Sequence, residues 1–301
     1  MKTLEKNVIN VWGVRGKSWL TQLPNIIAQL SQYWSLKDIT PVDNMSYNYV
    51  AKARQKDDTQ VVLKISCDNQ LIEDEYRALK HFNGQASIKA LDIRPDLNAL
   101  LLEQAIPGKL LKCNYLADVE NTIKAYAGVV NALASQIKPL GAYPHVKKWC
   151  ETIDRINDKR IKPYYVSKAK ELSTFLLNSV EKEYLCHGDL HLENILHHES
   201  SWVCIDPKGI IGEMAFEAAA FDLIDKSEWS ESHTIQDKIM TRIKLIASAL
   251  EIEQARLFAW IFLRVIISAQ WFIEDNGSPD EMLNLAFFLY PLLSTHYQLG
   301  K

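Results

Sequence analysis

Between Tyr184 and Asp206 the chain reads YLCHGDLHLENILHHESSWVCID, and no other stretch constrains the fold as much. A strand-like YLC precedes a polar loop, and a β-type run, SWVCI, follows it. Within this frame Asp189 and Asn194 stand five apart, and Asp206 ends the second run just before Pro207. Singly, each residue has a plain reading: Asp189 as a turn residue after Gly188, Asn194 as a helix cap, Asp206 as the end of a strand. Together they set an acid, a neutral amide and a second acid at a spacing that has a chemical reason.

The Asp189 to Asn194 interval is that of the Asp and Asn in the catalytic loop H-R-D-x-x-x-x-N, and Asp206 stands where the Asp of D-F-G follows. Phosphoryl transfer from a nucleoside triphosphate to an alcohol needs in-line alignment and neutralised phosphate charge, not a covalent enzyme intermediate. Asp189 is therefore the expected base beside the attacking hydroxyl. Asn194, through its amide oxygen, and Asp206, through its carboxylate, are the expected ligands of Mg²⁺, a hard cation usually held by one or two carboxylates, waters and substrate phosphates.

HGDLHLENIL followed by IDPKGIIGEMAFEAA resembles the aminoglycoside phosphotransferase family, and within it the branch of streptomycin 6-kinases and hydroxyurea kinases. VWGVRGKSWLTQLPNIIAQLSQYW, LLLEQAIPGK and RLFAWIFLRVIISAQWFIEDNG are similar to the same branch, so the resemblance covers nearly the whole chain. Protein kinases fit less well: they carry Arg where Gly188 stands and D-F-G where this chain reads Asp206, Pro207, Lys208, Gly209. The resemblance implies a Mg²⁺- and ATP-dependent O-phosphotransferase acting on a small-molecule hydroxyl, most like a streptomycin 6-kinase. Other acceptors on the same fold are hydroxyurea, another metabolite or a protein side chain. A catalytically silent nucleotide-binding protein is the reading from a different class.

With 301 residues, 48% hydrophobic and 24% charged, the chain is long enough for two lobes with their own cores. A formal net charge of −3 argues against a general nucleic-acid or anionic-membrane binder. The start, MKTLEKNVINVWGVRG, lacks the apolar run of a signal peptide, and no stretch reaches the roughly 18 to 20 uninterrupted apolar residues of a membrane span. Cys67, Cys113, Cys150, Cys186 and Cys204 are scattered without C-x-x-C pairs, which fits reduced thiols. The expectation is a cytoplasmic protein whose partners are ATP and a small hydroxyl-bearing acceptor, with no nucleic acid and no membrane.

Apolar positions at three- and four-residue steps predict a helix from about Thr3 to Leu36. MSYNYVAKA and VVLKIS read as two strands around a charged turn, LIEDEYRALKHFNG as a helix closed by Asn83 and Gly84, and ASIKALDIRPDLNALLLEQ as two further strands. VENTIKAYAGVVNALASQI, KAKELSTFLLNSVEKE, IQDKIMTRIKLIASALEIE and Gln254 to Glu274 carry helical patterns. The predicted fold class is α+β, a bilobal protein-kinase-like fold. A small β-sheet N-lobe, residues 1–106 with a helical extension over 1–38, binds nucleotide, and a mainly α-helical C-lobe, 107–301, carries catalysis and acceptor binding.

Lys64 ends VVLK as the Lys of V-A-I-K does, and Glu75 is its expected partner on the next helix, preferred to Glu73. No glycine occurs between Gly16 and Gly84, so Ser46 and Asn48 are the candidate donors of the phosphate-covering loop. The segment from Leu101 to Ala105 is the expected hinge, with Glu103 and Ala105 as the nucleotide-contacting backbone. His187 is assigned packing and hydrogen bonding, and His197 with His198, adjacent on a strand, make no metal pair. Glu213, Glu217, Asp222, Asp225, Glu228, Glu274 and Asp275 are acids that could line an acceptor pocket and favour a cationic acceptor. Asp225, Glu274 and Asp275 are the choice among them, and Asp222 is alternatively an anchor for the catalytic loop. Arg264, alone in the apolar WIFLRVIISAQWFI, needs a buried partner and is read as a brace for the pocket.

Overall fold

Alternation along VVLKI decides how the first part of the chain is layered. The side-chain period of two sends Val61, Leu63 and Ile65 to one face of their strand and Lys64 to the other. Val61, Leu63 and Ile65 lie in one buried cluster with Ala51, Ala53, Ala99 and Leu101 of neighbouring strands and with Leu4, Val8, Leu23, Leu30 and Trp34 of the N-terminal helix. The computed structural model describes residues 1–134, 143–230 and 233–296. Two units result, Met1–Gly108 with His197–Val203 and Lys109–Leu196 with Cys204–Lys301.

In the first unit, α1 (Lys2–Trp34) precedes an antiparallel sheet of β1 (Lys37–Pro41), β2 (Tyr49–Arg54), β3 (Gln60–Ile65), β4 (Ala90–Arg94) and β5 (Ala99–Glu103), ordered β1-β2-β3-β5-β4. The periodicity predicts one uninterrupted helix, but Gly13 breaks it with φ 53° and ψ −122°, so 2–12 and 14–34 are separate helical segments. A side chain is excluded just beyond the kink, because a Cβ on Gly16 would lie 2.5 Å from the Val8 carbonyl oxygen. The second segment ends on Ser35 in the left-handed region, φ 52°, and the chain turns directly into β1, a strand that the sequence pattern had assigned in part to the helical extension. Trp34 ties this corner to the sheet by donating its Nε1–H to Asp92 at 2.8 Å.

Between β3 and β4, α2 (Asn69–Phe82) starts where the Asp68 carboxylate accepts the Gln70 N–H at 2.9 Å and stops at Asn83, φ 51°. Its buried face carries Glu75, and the Lys64 ammonium lies 2.6 Å from that carboxylate, with the two side chains 3% and 7% exposed. Strand alternation therefore delivers Lys64 to the α2 face while its neighbours fill the α1 face.

The remaining elements are β6 (Pro107–Leu110), α3 (Val119–Ala134), α4 (Val146–Cys150), α5 (Pro163–Asn178), β7 (Tyr184–Cys186), β8 (Ile195–His198), β9 (Ser201–Cys204), β10 (Ile210–Gly212), α6 (Met214–Ala218), α7 (Ile235–Ala249), α8 (Gln254–Glu274) and α9 (Asp280–His296), which belong to the second unit except for 107–108 of β6, 197–198 of β8 and 201–203 of β9. Most of the β8 to β9 turn returns to the first unit, where the Glu199 N–H donates to the Ile106 carbonyl at 2.7 Å. The α5 pattern runs earlier than the sequence suggests, because Pro163 suits the first helical turn. α9 escapes a reading by pattern because Pro291 sits inside it. α8 is long and apolar enough to cross a membrane by length and composition, yet 67% of its apolar window is buried against protein. Leu257 to Leu263 are all at most 2% exposed, so α8 is apolar all round because it packs on α5, α6, α7 and α9.

The Lys64–Glu75 pair gives a stability prediction. Lys64→Met leaves a buried carboxylate without its cation and is expected to cost about 3–5 kcal/mol, whereas Lys64→Met with Glu75→Leu removes both charges and should recover most of that loss. Urea unfolding of the parent and both variants checks it.

Candidate active site

Pairing of β7 with β10, Cys186 opposite Ile210 and Tyr184 opposite Gly212, closes the base of a segment from His187 to Gly209. Gly188 follows β7 with φ +86°, and a Cβ there would meet Ile210 Cγ1 at 3.0 Å and Trp149 at 3.3 Å. Backbone conformation and crowding both demand glycine at the position where protein kinases carry Arg. His187, fully buried, accepts the Asp189 N–H on Nδ1 at 3.1 Å, and its Nε2 lies 2.7 Å from the Ile205 carbonyl. The first contact requires a bare Nδ1 and the second a protonated Nε2, so the ring is neutral. Burial pushes its pKa down to about 4, in keeping with that state.

Three hydrogen bonds stitch the two halves of the segment: His187 to Ile205, the Ile205 N–H to the Asn194 carbonyl at 3.0 Å, and the Lys208 N–H to the His187 carbonyl at 2.7 Å. Asn194 and Asp206, twelve places apart in sequence, are thereby held on adjoining strands of backbone. The Asn194 amide donates its Nδ2–H to the Asp189 carbonyl at 2.9 Å, so a metal could be met only through Oδ1. Asp206 takes φ 63°, a conformation costly for a non-glycine residue and tolerated here at the start of D-P-K-G. One amide oxygen and one carboxylate are a donor set suited to Mg²⁺.

The Asp189 carboxylate is 37% exposed and lies between two cations. Arg264 donates from Nη2 to its Oδ1 at 3.0 Å, and Lys208 Nζ is 3.9 Å from Oδ2. Burial raises this carboxyl, but Lys208, Arg264, His191 and His187 outweigh it and hold the pKa below the ordinary carboxylate value. Beneath the loop, the fully buried Glu217 accepts the Gly188 N–H at 3.2 and 3.4 Å. Asp222 accepts the Leu192 N–H at 2.8 Å, the anchoring role that sequence offered as its alternative.

Lys64, Glu75, Ser46, Asn48, Glu103 and Ala105 lie in the first unit. Ser46 is exposed, and its carbonyl accepts from the Asn7 side chain of α1 at 3.1 Å. Asn48 buries its Oδ1 with no hydrogen-bond partner, and the Val50 N–H meets the Met45 sulfur at 3.2 Å, so this glycine-free turn is pinned from within. Glu103 continues β5, and its carboxylate accepts the Lys89 N–H at 3.1 Å. Ala105 is buried, and its carbonyl would lie 2.9 Å from a Cβ on Gly108, φ +75°, so the chain can turn there only as glycine.

The remaining acids divide by environment. Glu213, Glu217 and Glu228, read in sequence as possible pocket acids, are structural. Glu213 is buried with Arg256 at 2.7 Å and the Trp260 indole. Glu228 accepts both guanidinium nitrogens of Arg242 at 2.8 and 2.7 Å. Burial raises the Glu228 carboxyl, yet Arg242, the Asp225 N–H and Lys238 overcome it and hold the pKa at about 2. Asp225 accepts from Ser227 and pairs with Lys112 at 3.2 Å. Glu274 is engaged by Arg155 and Gln270, while Asp275 caps α8, half-buried, with its pKa raised by burial and by Glu274. Sequence missed the contacts that converge on Gly188 and Asp189 from Glu217, Lys208 and Arg264. Only Arg264, as a lone charge in an apolar run, carried a signal.

A sequence model of the aminoglycoside/hydroxyurea antibiotic resistance kinases matches residues 33–276. The chain belongs to that family. It is 23% identical over 275 residues to streptomycin 6-kinase of Streptomyces griseus, covering 88% of this chain and 87% of that one. It is 24% identical over 272 residues to hydroxyurea phosphotransferase of Kitasatospora aureofaciens, covering 88% and 77%. The fold is similar to a crystal structure of a thermostable mutant of the aminoglycoside phosphotransferase APH(4)-Ia in ternary complex with ADP and hygromycin B, at a TM-score of 0.66 and 14% identity, covering 91% of this chain and 99% of that one. This kinase is thus a phosphotransferase with an alcohol group as acceptor, built on the protein-kinase-like fold.

The two buried titratable groups around Gly188 have opposite pH signatures. Burial lifts Glu217 from 4.5 to about 7 against Arg264 and the His187 and Gly188 amides, so its contribution to stability is present below 4.5 and lost as pH rises through 7. His187, lowered from 6.5 to about 4, contributes stability that is present above 6.5 and lost as pH falls through 4. Each is worth about 3 kcal/mol at full extent, and between these limits they oppose each other. Glu217→Gln keeps an acceptor for Gly188 but cannot ionise. Its stability relative to the parent should therefore rise from pH 4.5 to 7.5 in thermal melts, and a constant difference would remove the titration from Glu217.

Proposed function

We propose that this kinase transfers the γ-phosphoryl group of ATP, with Mg²⁺, to a hydroxyl of a small molecule of the aminoglycoside type, most like streptomycin. The carrying observation is the Asp189 carboxylate, anionic and partly exposed, with one oxygen on Arg264 and the other facing Lys208. In the step, the acceptor oxygen bonds to the γ-phosphorus, the bond from that phosphorus to the β,γ-bridging oxygen breaks, ADP departs, and the hydroxyl proton passes to Asp189. Asn194 Oδ1 and the Asp206 carboxylate would hold Mg²⁺, which when bound neutralises phosphate charge. Lys64, itself fixed by Glu75, would orient the α- and β-phosphates. Backbone at Glu103 and Ala105 would take the adenine, and Ser46 with Asn48 would cover the phosphates. Lys208 adds a cation at the carboxylate that receives the proton.

Acidic side chains at Asp225, Glu274 and Asp275 support a cationic acceptor, although Lys112 and Arg155 already neutralise part of that charge. Similarity to a hydroxyurea phosphotransferase at nearly the same identity supports hydroxyurea as the second acceptor. Five free thiols, four of them buried, suit the reducing cytoplasm, where ATP is at hand.

Asp189→Ala should lower turnover by about 10²–10⁴-fold while ATP affinity stays within a small factor of the parent. Incubation with labelled ATP and Mg²⁺ against streptomycin, other aminoglycosides and hydroxyurea, with mass measurement of the product, identifies the acceptor, and chelation by EDTA should abolish transfer. Undiminished turnover in the Asp189→Ala protein would displace Asp189 from the chemistry.

A further inference from the structure

Between Leu257 and Gln270, α8 carries one charge, Arg264, whose side chain is only 13% exposed. A guanidinium there is tolerated only if its donors are met by acceptors of matching geometry. Nη1 donates to the Gly188 carbonyl at 2.7 Å and Nη2 to Asp189 Oδ1 at 3.0 Å. The planar group lies beside a pair of packed rings, its carbon 5.8 Å from the centroids of both Trp149 and Phe216, which are 5.7 Å from each other. Its rigid fork therefore grips two points of the catalytic loop at once: the peptide before the acid and the acid itself. From the other side Glu217 grips the N–H of the same Gly188.

Two other arginines of this unit show what a purely architectural pair looks like. Arg256 and Arg242 close on Glu213 and Glu228, whose side chains are 10% and 8% exposed. Arg264 closes on a carboxylate that stays 37% exposed. Its fork takes Oδ1 and leaves Oδ2 toward Lys208 Nζ, 3.9 Å away on a side chain 42% exposed.

We propose that Arg264 is a positioning residue for phosphoryl transfer: by engaging Asp189 Oδ1 and the Gly188 carbonyl together, it fixes the carboxylate so that Oδ2 is the oxygen presented to the acceptor hydroxyl. The role rests on Asp189 being the base, and it adds a residue from a helix 75 positions away to the chemistry of the loop. Arg264 acts through its two contacts on the loop, the Gly188 carbonyl and Asp189 Oδ1, which makes its contribution separable from a general effect on packing.

A double-mutant cycle in the full-length enzyme tests this, with ATP hydrolysis by water and phosphorylation of streptomycin as the two probe reactions. Arg264→Met should lower kcat by about 10²-fold, the scale of a misplaced reacting group, with KM for ATP within threefold of the parent. Arg264→Lys, which reaches one of the two acceptors but not both, should fall between. In an Asp189→Asn background, Arg264→Met should cost less than threefold. An equal loss in both backgrounds, or a loss carried by KM, overturns the proposal in favour of a structural brace. Parent-like turnover in Asp189→Asn alone instead removes Asp189 from the mechanism and so separates failure of that reading from failure of this one. Crystal structures of the Arg264→Met and Arg264→Lys proteins give a readout independent of any acceptor. The Asp189 carboxylate should rotate away from its parent orientation in Arg264→Met, and an unmoved carboxylate refutes the role.

Discussion

A guanidinium in the middle of an apolar helix must find acceptors within its own reach, and Arg264 finds them on the Gly188 carbonyl and on Asp189 Oδ1. The rest of the site is arranged around that demand. Gly188 has its carbonyl held by Arg264 and its N–H by Glu217, so both polar groups of one residue are fixed by side chains from α8 and α6. A side chain at that position would collide with Ile210 and Trp149, so the loop can approach the two helices closely only as glycine. Asp189 inherits its place from this clamp as much as from its own turn.

The acid-rich region after Asp206 illustrates how burial decides what a carboxylate does. Glu213 and Glu228 meet guanidinium groups and become braces between segments distant in sequence, while burial lifts Glu217 toward neutrality against the backbone N–H groups and the field of Arg264. An ion taken out of water must be paired, hydrogen-bonded or protonated, and these three residues show all three outcomes. Glu274, left at the surface, is instead met by Arg155.

In the first unit the same logic runs through a strand. β3 alternates, so the apolar residues that bind α1 leave Lys64 on the opposite face, where Glu75 of α2 neutralises it. The turn before β2 has no glycine, and contacts from Asn7 and Met45 hold its shape instead of leaving it free to adapt. The turn thereby trades conformational range for anchoring by the N-terminal helix.

Sequence by itself determined the order of most elements and pointed to the candidate reacting groups. Period-two and period-3.6 patterns marked β2 to β5, α2, α3, α7 and α8, and the spacing of Asp189, Asn194 and Asp206 marked the chemistry, because local geometry repeats wherever the same residues occur at the same intervals. Tertiary structure decided what distance in sequence conceals. It kinked α1 at Gly13, formed β1 from residues next to a helix end, returned the β8 to β9 turn to the first unit, and sorted seven acids into braces, anchors and surface charge. It also brought Arg264 to Asp189 across 75 positions. A side chain's partner is fixed by the packing of whole helices, and no local interval in the chain records which buried cation will meet which carboxylate.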